Sequence, residues 1–178
     1  KLVFHQIRIQ RVVPERLYNR KIGFQKGNSP HIKRRTDSLH FVPKKRRYFI
    51  ETLYSHYAHT HYAEHLDVTR KIIAERCPEY LPSFDRIMRR RYGYMFNMMI
   101  MRRDLADKYC TWLFDILFAL SEKMGDTELS FYQGRYFGRV SEIILNVWLD
   151  RQMSISAIPR ERVCELPTVY TEKIMWYK

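Results

Sequence analysis

Residues 103–123 set Leu105, Tyr109, Trp112, Leu113, Ile116, Leu117 and Leu120 three or four positions apart. That spacing lays a wide apolar stripe along one side of an α-helix, and a stripe of this width must be buried. Residues 132–152 repeat the pattern with Tyr136, Phe137, Val140, Ile143, Ile144, Val147 and Trp148. Gly125 follows the first stretch as its natural stop. A fold for this chain has to be organised around two long amphipathic helices.

The rest of the pattern adds shorter elements. Phe49, Ile50, Leu53, Tyr54 and Tyr57 fall at helical spacing, which predicts a helix over about 46–62. Asp67 is a candidate N-cap for a second helix carrying Val68, Ile72 and Ile73, and Pro78 ends it. Pro82 opens a third, short helix with Phe84, Ile87 and Met88 inward, and Tyr92-Gly93 breaks it. The apolar run 94–101 has the length of a buried strand, interrupted by Asn97. Residues 167–171 read as a short extended segment. The expected fold class is therefore α/β, helix-rich, with few strands.

The basic charge is concentrated at one end. Formal net charge is +13, but residues 1–48 hold fourteen Lys and Arg against two acids, Glu15 and Asp37. The remaining eighteen basic and seventeen acidic residues nearly cancel. Residues 1–10 alternate like a strand, yet no period is sustained to residue 40. The expected organisation is a basic, poorly patterned arm over 1–40 and a domain over 41–178. The arm reads as a loose extension or as a patch for phosphate or anionic lipid. No helix-turn-helix, zinc finger or RNA-binding aromatic motif accompanies the charge, so nucleic-acid or polyanion binding is the alternative reading only. Cys77, Cys110 and Cys164 are far apart, with no CxxC pair, and read as free thiols. No apolar run long enough to span a bilayer and no signal-peptide core are present, so the expected location is the cytoplasm.

Several residues could carry chemistry. Arg135, Arg139, Glu142 and Asn146 share one helical stripe, opposite much of the apolar face. Two guanidiniums beside a carboxylate can hold a diphosphate and present a base; a surface salt-bridge stripe is the bland alternative. Asn97, inside an apolar run, must find hydrogen-bond partners. His56, His59, His61 and His65 lie close together, and His61 and His65 have the i, i+4 spacing that can hold a metal on a helix. Surface or core histidines are the competing reading. There is no Asp-x-Asp metal motif, P-loop, dinucleotide glycine motif or Gly-x-Ser-x-Gly elbow.

A set of phrases occurs in order: Tyr54-Ser-His-Tyr57, His61, Leu66-Asp67, Cys77-Pro-Glu-Tyr80, Phe96-Asn-Met-Met-Ile-Met101, the segment from Tyr109 to Leu117, and the segment from Gly138 to Trp148. Together, over about 41–172, they resemble a bacterial family formerly classed as a domain of unknown function, whose members are regarded as glycosyltransferases of capsular and exopolysaccharide synthesis. The resemblance implies the C-terminal part of a GT-A-like glycosyltransferase domain. It implies transfer of a hexose from a nucleotide sugar to a lipid-linked glycan, beside the inner face of a membrane that the basic arm would meet. It makes Glu142, in the Ser141-Glu142 pair, the catalytic candidate. Asn97, His56, Tyr57, His61, Arg135 and Arg139 become the substrate-binding candidates, and a divalent metal stays open as cofactor. The N-terminal half typical of the family is not recognisable, and Ile143 stands where the family tends to carry Arg. A truncated or rearranged product, with a foreign first forty residues, is the corresponding expectation.

Overall fold

The computed structural model describes residues 40–125 and 133–167. The sequence expectations for residues 1–39 and 168–171 lie outside that range. Among the described residues five α-helices and five short strands follow in the order β1 (His40–Pro43), β2 (Arg46–Arg47), α1 (Leu53–Thr60), α2 (Glu64–Arg76), α3 (Leu81–Met88), β3 (Tyr92–Gly93), β4 (Ile100–Met101), α4 (Arg103–Met124), α5 (Tyr136–Ser154) and β5 (Val163–Leu166). The helix-rich α/β class expected from the pattern is the class observed.

The two long helices stand close to where the apolar periodicity puts them. Gly125 takes φ 61°, and its N–H closes α4 on Ser121 O. That left-handed φ costs glycine little, so the helix stops there. Helix α5 is more central than a one-sided stripe suggests: every residue from Ile143 to Asp150 is buried. It packs against α3, α4 and α2, while α2 also packs on α4. Polar side chains caught in this buried stretch must be satisfied by partners. Asp150 takes Arg90 at 2.7 Å and Arg86 through Nε at 3.0 Å.

Two small sheets flank the helices. In one, β1 is central, antiparallel to β4 and parallel to β5, with His40 opposite both Met101 and Val163. In the other, Arg46–Arg47 pairs antiparallel with Tyr92–Gly93. Gly93 is needed there for close approach, because a Cβ would meet Leu53 Cδ1 at 3.0 Å and Asn146 Oδ1 at 3.1 Å.

Three sequence expectations need correction. The helix expected from residue 46 starts at Leu53. Thr52 and Ser55 form a reciprocal capping box that fixes the start, while Arg46–Arg47 is drawn into strand pairing. Phe49 and Ile50, counted as core, are exposed. Asp67 is not an N-cap; α2 begins at Glu64 and Asp67 accepts the Tyr54 hydroxyl at 2.9 Å. The run 94–101 is not a buried strand. Only Ile100–Met101 pairs, and Phe96 and Asn97 adopt φ 76° and 47°, a left-handed turn that ends any extended run.

Candidate functional site

The chemistry-bearing residues gather where α1 and the first turns of α5 meet the Phe96-Asn97 turn. The site is built from the interior outward. Tyr57, on the inner face of α1, is buried, and its hydroxyl bonds His65 Nδ1 at 3.0 Å. His65 is itself buried in α2 and stacks on Tyr136, with ring centroids 4.6 Å apart. Tyr57 then meets the His61 ring edge-on at 4.9 Å. These aromatic rings form a floor, and Tyr57 serves it from within.

His61 caps the end of α1, its backbone N–H donating to Tyr57 O. Arg139 Nη1 lies 2.9 Å from His61 Nδ1. A guanidinium only donates, so His61 Nδ1 accepts and the ring carries its proton on Nε2. Burial and then the Arg139 charge hold the His61 pKa below the ordinary histidine value. Nε2–H is thus a neutral donor. His61 and His65 do not share one helix: the helix breaks between them, placing His61 on a cap and His65 in the core, which for His65 is the surface-or-core reading of these histidines. Among the described residues no group of three or more His, Cys, Asp or Glu could hold a metal ion.

Glu142 is half-buried one turn along α5 from Arg139. Burial pushes its carboxyl above the usual carboxylate pKa, and the Phe96 backbone N–H with the Arg139 and Arg135 charges offsets this only in part. The left-handed turn is what aims the Phe96 N–H at the carboxylate. Asn97 holds that turn against α5: its Nδ2 donates to Gly138 O at 2.9 Å and to Ser141 Oγ at 2.8 Å. Asn97 therefore has the partners its position demands, on the helix that carries Glu142.

The rim comes from the loop before α1. Tyr48 packs on His56 with the rings tilted and their centroids 4.2 Å apart, and its phenol feels the charges of Arg46, Glu142 and Glu51. Glu51 receives His56 Nδ1 and His59 Nδ1 on its two oxygens, each at 2.6 Å. Those two contacts, His59 first, hold the Glu51 carboxyl below its ordinary range. The fold thus brings Asn97, His56, Tyr57, His61, Arg135, Arg139 and Glu142 into one neighbourhood. Asn146, placed by spacing on the same open stripe, is instead buried. Its amide grips the Tyr94 backbone, because the segment after β3 lies across that face of α5. Tyr48 and Glu51 escaped the sequence reading. Their apolar neighbours Phe49 and Ile50 looked like a helix face, and nothing local marks a residue that acts through His56.

The arrangement offers two cations, one carboxylate with a raised pKa, a neutral histidine donor and flanking aromatic rings. Such a set suits a ligand that is both anionic and rich in hydroxyl groups.

The fold is shared with the apo structure of the bifunctional glycosyltransferase WbbM at a TM-score of 0.68 and 24% identity, over 73% of this chain and 23% of that one. The chain thus spans less than a quarter of that structure's length, and the likeness is one of fold. The family described as Domain of unknown function (DUF4422) matches residues 20–153, and the chain belongs to that family. No curated protein matches the chain.

Proposed function

We propose that this chain is part of a glycosyltransferase that moves a hexose from a nucleotide sugar to a growing surface polysaccharide. The observation that carries the reading is Glu142, a half-buried carboxylate with a raised pKa set beside Arg135 and Arg139, on a fold shared with a solved glycosyltransferase. Arg135 and Arg139 bind the diphosphate of the donor and take up the charge that develops as it leaves. In an inverting transfer, Glu142 accepts the acceptor hydroxyl proton while that oxygen bonds to the anomeric carbon and the nucleoside diphosphate departs. A carboxylate of raised pKa is the stronger base for this step. His61 Nε2–H and His56 contact sugar hydroxyls, and Asn97 keeps the Phe96 turn against Glu142. Tyr57 acts beneath them as the floor. The acceptor is lipid-linked, and the reaction takes place at the inner face of a membrane.

The test is calorimetric titration of the folded chain with a panel of nucleotide sugars, with and without manganese. Binding of at least one donor is expected, weakened about tenfold or more by Arg139→Ala, the loss of a charge-assisted contact. A folded chain that binds no nucleotide sugar in either condition overturns the proposal.

A further inference from the structure

The loop between β2 and α1 is tied at both ends to the segment before β3. Tyr48 N–H donates to Arg91 O and Leu53 N–H to Arg90 O, both at 2.7 Å. Arg91 Nη1 donates to Phe49 O at 3.2 Å. Between these ties stand two adjacent large apolar side chains, Phe49 at 96% exposure and Ile50 at 84%. A loop fastened at its base cannot fold them inward. Exposed aliphatic residues are commonplace singly, but a neighbouring pair exposed almost all round marks a contact surface.

The surroundings of this tip are cationic. Arg46 and Arg47 on β2 and Arg91 beside β3 are all exposed. The Arg46 guanidinium lies over the Tyr48 ring at 5.4 Å and that of Arg47 over Tyr92 at 5.2 Å. Among the described residues none of the three is salt-bridged, whereas Lys45 pairs with Glu165 and Arg90 with Asp150. Apolar residues at a tip with unneutralised guanidiniums and tyrosines behind them match the layering of a bilayer surface: acyl chains deepest, then the headgroup phosphates.

We propose that the 46–50 loop docks this protein on an anionic lipid bilayer. Phe49 and Ile50 enter the acyl-chain boundary, and Arg46, Arg47 and Arg91 meet the headgroup phosphates. A two-residue tip suits lipid, which closes around it. A stable protein partner needs a patch of about 800 Å² on each side. The proposal does not depend on sugar transfer. Tyr48 belongs both to this loop and to the rim of the site, so docking brings Glu142 and Arg139 to the headgroup layer.

The experiment is co-sedimentation of the full chain with phosphatidylcholine vesicles, with and without phosphatidylglycerol, at physiological salt. The parent is expected to bind the anionic vesicles. The double substitution Phe49→Ser with Ile50→Ser should weaken partitioning about tenfold or more, given the apolar surface withdrawn from lipid. Arg46→Gln with Arg47→Gln should weaken it and flatten its salt dependence. All four side chains are exposed, and matched far-UV circular dichroism checks the fold. A second readout is a Phe49→Trp variant, whose emission should be quenched by lipids brominated near the headgroup. No binding by the parent overturns the proposal. So does parent-like binding by the double serine variant, which would leave the N-terminal charges alone responsible, or equal binding to uncharged vesicles.

Discussion

Replacing Asn146 by alanine is expected to destabilise the protein by about 3 kcal/mol. Asn146 is 5% exposed, and its amide mimics a strand partner for Tyr94: Oδ1 accepts the Tyr94 N–H at 2.7 Å and Nδ2 donates to Tyr94 O at 2.9 Å. Truncation orphans both backbone groups beside a buried side chain. Each unsatisfied group costs about 1–3 kcal/mol, so the pair sums to about 2–6 kcal/mol. Relief from burying the amide itself, and water entering the vacated space, bring the figure to the lower half of that range. For a chain of this size the melting temperature should fall by about 6–12 °C. Urea denaturation followed by circular dichroism gives the free energy, and amide exchange gives the local effect. Tyr94 N–H should lose protection more than neighbouring amides. Asn146→Asp should behave like alanine at neutral pH, since a carboxylate cannot donate to Tyr94 O, and recover as acid protonates it. A loss under about 1 kcal/mol with Tyr94 protection intact would falsify the clamp and, with it, the account of how the segment after β3 is held across α5.

Two further expectations concern pH. His40 is fully buried with neither ring nitrogen hydrogen-bonded among the described residues, and burial lowers its pKa to about 4. The unfolded chain takes up that proton near pH 6.5, so stability present above 6.5 drains away as pH falls towards 4, by about 3 kcal/mol in all. His40→Leu should flatten this acid slope in urea titrations; an unchanged slope would refute the assignment. Glu142 has the opposite sign, since burial raises its pKa: its contribution is favourable below the ordinary carboxylate range and is lost as pH rises through the folded value. Glu142→Gln should therefore gain thermal stability over the parent at neutral pH and lose that advantage in acid. An advantage that is constant from acid to neutral pH would show that the carboxylate is not penalised by its surroundings.

What the sequence disclosed depended on how far away each residue's partners lie. Helices α4 and α5 were legible because their periodicity is internal to each segment. Gly125 and Pro82 were legible because backbone chemistry is local. The turn at Phe96-Asn97 was not, since a run of apolar residues looks like a strand until Gly138, Ser141 and Glu142 arrive to bond it. The candidate site followed the same rule. Arg135, Arg139 and Glu142 share one helix and could be grouped by counting. The contact of Arg139 with His61 joins residues far apart in sequence, and only the fold reveals it. Asn146 was misassigned to the open face because spacing reports which side of a helix a residue occupies but not what is laid across that side.

The parallel pairing of β1 with β5 also sets an order of events during synthesis. His40 lies in register with Val163, so the central strand of the sheet waits through more than a hundred residues of translation for its neighbour. Meanwhile it has at most the two-residue edge at Ile100–Met101 to pair with. Helices α1 to α5 can assemble during that interval, but one side of β1 stays open as a sticky edge on the nascent chain. Conditions that slow elongation between α5 and β5 should therefore favour aggregation over native closure, even though every helix is already in place.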